Sequence, residues 1–128
     1  MKQHDISVVS YTNGRLWSTR DCKGKATLYN TLGKEAAVKK ADGSIQLEPY
    51  GAMCAVLCPA SKIYQKAMFD MVTRLTAQGI SGCFIDQLGA ARPILCQIPT
   101  HGHPANDNKS WNVNGHRKAF VPIKEYWK

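Results

Sequence analysis

The sequence predicts an α/β fold with parallel strands, and three segments of the 128-residue chain carry that prediction. Ile6-Ser7-Val8-Val9-Ser10-Tyr11-Thr12 is a β-branched run closed by the turn pair Asn13-Gly14. Ser61 to Gln78 has apolar residues at helical spacing, and Ile80-Ser81-Gly82-Cys83-Phe84-Ile85-Asp86 is a short apolar strand ending in a carboxylate. Strand, loop, helix, strand is the order of a parallel sheet. The crossover rule then places Ile6–Thr12 and Gly82–Asp86 side by side, with the helix packed outside.

Along the helix, Tyr64, Met68, Met71, Val72 and Leu75 form one face, while Lys62, Lys66, Asp70 and Arg74 lie largely elsewhere. Ser61, two residues after Pro59, is the expected N-terminal cap, and Gly79 the C-terminal stop. Met53 to Leu57 is a short apolar run halted by Pro59. Residues 13–51 have weak periodicity, with glycine at 14, 24, 33, 43 and 51 and a tight turn at Ala41-Asp42-Gly43-Ser44, and are expected as a long loop. Residues 87–110 form a second long loop, punctuated by Pro93, Pro99, Gly102 and Pro104. Long loops in a compact domain are more often functional than accidental. A second helix is expected from about Trp111 to Trp127, capped by Ser110 and kinked or split at Pro122. No internal repeat or low-complexity tract divides residues 1–128, which read as a single unit.

Hydrophobic residues make up 44% and charged residues 20%, an ordinary globular balance. No run approaches the ~20 apolar residues of a membrane helix, so no membrane partner is expected. No apolar signal core follows Met1, and nothing in the sequence fixes a location. The net charge of +8 is spread evenly: residues 1–50 carry eight Lys/Arg against five Asp/Glu, and residues 51–128 nine against four. With only Lys39-Lys40 and Arg117-Lys118 as basic doublets, the clustering a nucleic-acid binder needs is missing, and no nucleic-acid partner is expected. The five cysteines, Cys22, Cys54, Cys58, Cys83 and Cys96, are odd in number and irregular in spacing, unlike a disulfide framework. Cys54 and Cys83 are expected as buried thiols.

Asp86 is the first candidate for chemistry. A carboxylate at the C-terminal end of a buried parallel strand faces the loops where barrels bind substrates. It reads as a nucleophile or charge stabiliser for an oxocarbenium-like transition state, or else as a helix cap or loop-ordering acceptor. The second candidate is Cys96-Gln97-Ile98-Pro99-Thr100-His101-Gly102-His103-Pro104. Its residue types are metal ligands, but the spacing matches no standard zinc motif, and neither does Cys54-x-x-x-Cys58, so neither a metal nor a cofactor is expected. His101 and His103 are expected to hydrogen-bond backbone or sugar hydroxyls. The third is Tyr11-Thr12-Asn13-Gly14-Arg15-Leu16-Trp17, which follows the first strand onto the same face. Arg15 offers a donor fork and Trp17 an apolar plate for a polar cyclic ligand. Trp17 could equally fill the core, and Trp111 is either a sugar platform or a loop plug.

Taken together, Tyr11 to Trp17, Gly82 to Ala91, and His101-Gly102-His103-Pro104 followed by Trp111 and Gly115-His116-Arg117 resemble a family of glycoside-hydrolase-like (β/α)8 barrel proteins that carries a domain-of-unknown-function label. Met53-Cys54 through Cys58-Pro59-Ala60-Ser61 fits the same pattern, and the likeness runs from about residue 8. The resemblance implies a partial (β/α) barrel with parallel strands and outer helices, in which 13–51 and 87–110 are ligand-face loops. It places Asp86 at a barrel-strand end, with Arg15, His101 and His103 in substrate-facing loops. It also implies carbohydrate as the partner. A complete barrel takes about 250 residues. The chain is therefore expected to be a barrel segment, catalytically incomplete alone, whose acids after Asp86 are only Asp107 and Glu125. The alternative is a non-catalytic carbohydrate-binding or assembly module. An open part-barrel exposes strand edges and an apolar inner face, so a homo-oligomer is expected.

Overall fold

The computed structural model describes residues 6–20, 28–107 and 114–128. In chain order its elements are β1 (Val9–Asn13), β2 (Leu16–Ser18), a π-helical turn (Tyr29–Gly33), α1 (Lys34–Ala36), β3 (Leu47–Tyr50), β4 (Ala52–Val56), α2 (Lys62–Ala77), β5 (Gly82–Asp86), a 3-10 turn (Pro99–His101) and α3 (His116–Tyr126). β1 and β5 pair in parallel, from Val9 opposite Gly82 to Asn13 opposite Asp86, as the strand–helix–strand order predicts. The fold is mixed α/β, with a parallel sheet and three α-helices among the described residues.

The segment expected as a loop over 13–51 is more ordered than its periodicity shows. It contributes β2 and β3 to an antiparallel sheet of order β2-β4-β3. Pro49 lies within β3, which the sheet accommodates because β3 is an edge strand and loses no ladder bond on its free side. β4 is central, and its Cys54, Ala55 and Val56 are all buried.

The turn from β1 into β2 is fixed by three local features. Asn13 Oδ1 accepts from the amides of Arg15 and Leu16, each at 2.9 Å. The Gly14 amide donates to the Asp86 carbonyl at 3.0 Å. A Cβ on Gly14 would lie 2.5 Å from Ile85 Cγ2 and 2.8 Å from Leu88 Cδ2, so only glycine lets the strands approach this closely.

α2 buries Tyr64, Met68 and Val72 against Ala119 and Ile123 of α3, together with Ala36 and Leu57. The buried Tyr64 hydroxyl donates to the Gly14 carbonyl at 2.7 Å, tying the helix to the β1–β2 turn. Ser61 occupies the N-cap position, although its hydroxyl makes no capping bond. At the other end Gly79 adopts φ +84°, and the Ile80 amide reaches back to the Leu75 carbonyl at 3.1 Å, which closes the helix as a Schellman motif. α3 follows directly on helical backbone at residues 114 and 115, its expected start near Trp111 lies outside the described residues, and it continues through Pro122 instead of splitting there. Pro122 lies on the exposed side, where water can satisfy the carbonyl its ring leaves unbonded, while Ala119 and Ile123 face the core. The proposed cap Ser110 lies outside the described residues. Cys54 is buried as expected, but Cys83 is only half-buried.

Candidate functional site

The two faces of the β1–β5 ribbon differ. One packs towards α2: Ile85 joins the core, and the Thr12 hydroxyl contacts Met71 Sδ at 3.0 Å. The other face is apolar but bare, with Val9 63%, Tyr11 58% and Phe84 59% exposed. Tyr11 and Phe84 stack across the strands, with ring centroids 5.8 Å apart. Side chains alternate along a strand, so Asp86, two positions after Phe84, belongs to this same face at its C-terminal end.

Asp86 is held there by two donors. The Tyr11 hydroxyl donates to Oδ2 at 2.5 Å, and the Gln87 amide donates to Oδ1 at 2.7 Å. Gln87 has φ +67°, a left-handed conformation uncommon for a residue with a side chain. Such strain gathers at functional sites, where neighbouring structure enforces it. The Tyr50 hydroxyl lies 3.4 Å from that of Tyr11, which brings the end of β3 over the end of β5. The Tyr11 phenol is shifted well above the usual tyrosine range, first by its bond to Asp86 and then by its bond to Tyr50. The result is an exposed acceptor surface of one carboxylate and two phenols at the ends of parallel strands, suited to hydroxyl-rich ligands.

Arg15 does not present a free donor fork. It is only 6% exposed, and its guanidinium makes a two-pronged pair with Glu48 at 2.5 and 2.6 Å. Hydrogen bonding to Arg15 holds the Glu48 carboxyl below its ordinary range. Trp17 is half-buried and packs on the Tyr29–Ala37–Ala55 cluster and on the main core. Trp111 lies outside the described residues.

His101 and His103 are buried, not displayed to solvent. Cys96 Sγ lies 3.5 Å from His101 Nδ1, and Cys58 Sγ lies 3.4 Å from His103 Nε2. The four donor atoms gather within 4.8 Å of one another. The Cys96 thiol is pushed down, chiefly by a hydrogen bond from Cys58 and further by His101, while Cys58 is pushed up by that same bond and by burial. The sequence expectation of no metal site looked for ligands at local spacing. It weighed Cys54-x-x-x-Cys58 apart from the 96–104 segment, whereas the fold brings Cys58 to His103 across 45 positions through the β4–α2 turn. Tyr11 lies in the Tyr11–Trp17 segment singled out from the sequence, whereas Tyr50 and the pairing of Glu48 with Arg15 were not foreseen. Tyr11 has a readable signal, since it stands two residues before the strand end; Tyr50 and Glu48 have none until β3 is known.

Among the described residues no helix is long and apolar enough to cross a membrane. Over 108 residues the chain is 33% identical to a Bacteroides thetaiotaomicron protein described as "Putative glycoside hydrolase", a match covering 81% of this chain and 15% of that protein. Its fold matches the solved structure of the alpha-N-acetylgalactosaminidase NagBb from Bifidobacterium bifidum in complex with GalNAc, with a TM-score of 0.68 at 10% identity. That match covers 94% of this chain and 18% of the enzyme, so the chain spans under a fifth of either relative. At this identity the structural likeness is one of fold. The family match extends over all of residues 1–128, and the chain belongs to the family described as "Domain of unknown function (DUF6259)".

Proposed function

We propose that the chain is one portion of a glycoside-hydrolase barrel and that the Asp86 end of the β1–β5 sheet faces a saccharide. The observation that carries this reading is Asp86 itself. It is a carboxylate at the C-terminal end of a parallel strand, fixed by Tyr11 and the Gln87 amide beside a strained backbone. In (β/α) barrels that end of the strands is where substrates bind. The bare face of Val9, Tyr11 and Phe84 supports the same reading, because further strands of a barrel would cover it. The glycoside-hydrolase relatives supply the substrate class.

Asp86 then serves as an acceptor for sugar hydroxyls or as the nucleophile of a retaining reaction, which needs an acid partner roughly 5–5.5 Å away. Glu48 is unsuited to that partnership: Arg15 holds it ionised, whereas a general acid must keep its proton. Glu125 is exposed on α3. The isolated chain is therefore a saccharide-binding surface without turnover. Both terminal nitrogens of the buried Arg15 guanidinium are engaged by Glu48, and His101 and His103 are buried and bonded to backbone carbonyls, so these residues act by positioning β3 and the loop, not as sugar contacts.

The test is a panel of aryl glycosides and free saccharides, using the wild type and Asp86→Asn. Millimolar binding without hydrolysis is expected, weakened in Asp86→Asn by about 10–100-fold, as befits loss of a charge-assisted hydrogen bond. Absence of any saccharide binding would remove the reading. Robust hydrolysis lost in Asp86→Asn would show that a second acid is present after all.

A further inference from the structure

We propose that Cys58, Cys96, His101 and His103 hold a single structural zinc ion that clamps the 87–106 loop to the β4–α2 turn. This inference is independent of the saccharide reading and concerns a different part of the molecule.

The donor set is two sulfurs and two imidazole nitrogens, all from buried residues and all within 4.8 Å of one another. Zinc at about 2.3 Å from sulfur and about 2.0–2.1 Å from nitrogen, with tetrahedral angles, places each sulfur about 3.6 Å from each nitrogen. The two such separations resolved are 3.4 Å, between Cys58 Sγ and His103 Nε2, and 3.5 Å, between Cys96 Sγ and His101 Nδ1. These two edges of the cluster thus match the length that zinc requires, and the remaining donor separations stay within 4.8 Å.

The second observation is the orientation of the rings. His101 Nε2 donates to the Glu35 carbonyl at 2.6 Å, and His103 Nδ1 donates to the Pro104 carbonyl at 2.7 Å. A carbonyl only accepts, so each of those nitrogens carries the proton. The opposite nitrogen of each ring therefore turns its lone pair towards a sulfur. Metal-ligating histidines are oriented in this way, with the outer N–H anchored to an acceptor. Four protein donors leave no open position, which makes the site structural, and a tetrahedral sulfur–nitrogen set selects zinc over harder cations.

The fold shows what such an ion would do. Apart from the 3-10 turn Pro99–His101, the described part of the loop after β5 has no regular structure. Its backbone is tied to the body by few bonds, such as Gln97 N to Lys39 O at 3.0 Å. Three ligands come from this loop and the fourth, Cys58, from the turn between β4 and α2, where it is buried with Val38, Val56, Ala60 and Cys96. One ion would join the two, as a disulfide does elsewhere.

The test is metal analysis of the chain purified under reducing conditions with zinc supplied, followed by cobalt(II) substitution. One zinc per chain is expected. The cobalt form should show the intense visible bands of a tetrahedral ion and a thiolate charge-transfer band. Chelation should lower the melting temperature and zinc should restore it. Cys96→Ser and His103→Gln should lose the metal, and Cys54→Ser, a buried thiol outside the cluster, should keep it. Should the ligand variants fail to fold, the wild-type cobalt spectrum decides the matter alone. A folded wild type that binds neither metal, a six-coordinate cobalt spectrum, or a Cys58–Cys96 disulfide that persists under reduction would overturn the proposal.

Discussion

Replacing Glu48 by alanine leaves the Arg15 guanidinium without its counterion in a site where the residue is only 6% exposed. Both prongs of the pair, at 2.5 and 2.6 Å, are lost, and Arg15 Nε already has no hydrogen-bond partner. Orphaning one partner of a buried pair is destabilising by roughly 3–5 kcal/mol. Glu48 is itself 31% exposed, so water can enter behind it, and the low end, about 3 kcal/mol, applies. For a domain of this size that corresponds to a fall in Tm of about 10 °C. Urea unfolding followed by circular dichroism measures it. The double variant Arg15→Met, Glu48→Leu should regain most of the loss, because both charges leave together. The pH dependence has a defined sign. The folded Glu48 pKa is depressed, so its contribution is complete above the unfolded value of about 4.3 and is lost as the pH falls through the folded value below it. The gap between wild type and Glu48→Gln should therefore close in acid. A Glu48→Ala variant within about 0.5 kcal/mol of wild type would show that the pair behaves as an exposed one and that Arg15 is not buried in solution.

Other outcomes follow from the same contacts. Gly14→Ala should lower stability by about 1–3 kcal/mol in urea unfolding, since its Cβ would press on Ile85 and Leu88 from 2.5 and 2.8 Å; an unchanged midpoint would mean that β1 and β5 do not approach so closely. Tyr64→Phe should lose about 1–2 kcal/mol in the same assay, because the Gly14 carbonyl loses its buried donor. In Asp86→Asn the Tyr11 phenol should titrate nearer the ordinary tyrosine value, a change that carbon NMR of labelled tyrosine can follow. An unmoved Tyr11 would mean that the phenol and the carboxylate are apart in solution.

Much of the parallel frame is legible in the sequence. β1, α2 and β5 each have a strong period, and Gly79 marks the helix end without ambiguity. The antiparallel sheet is not legible, for physical reasons. β2 has three residues and β3 four, too few for alternation to register, and Pro49 argues against a strand unless the edge position of β3 is known. The reading of Arg15 as a ligand donor failed because nothing local announces Glu48, which reaches it only through that edge strand. Asp86 was legible because a strand end is a sequence position, whereas Tyr50 became a neighbour only through tertiary pairing. The Cys58–Cys96–His101–His103 cluster is likewise invisible to spacing rules, which find ligands on one turn or hairpin and not ligands brought together by β4.

Saccharide is proposed to meet this chain at the Asp86 end of the β1–β5 sheet. The most direct measurement is amide and side-chain NMR shift mapping while the chain is titrated with a saccharide panel that includes GalNAc. Perturbations centred on Tyr11, Tyr50, Asp86 and Gln87, absent in Asp86→Asn, are the predicted result. Shifts centred elsewhere, or no shifts at saturating saccharide, would contradict it.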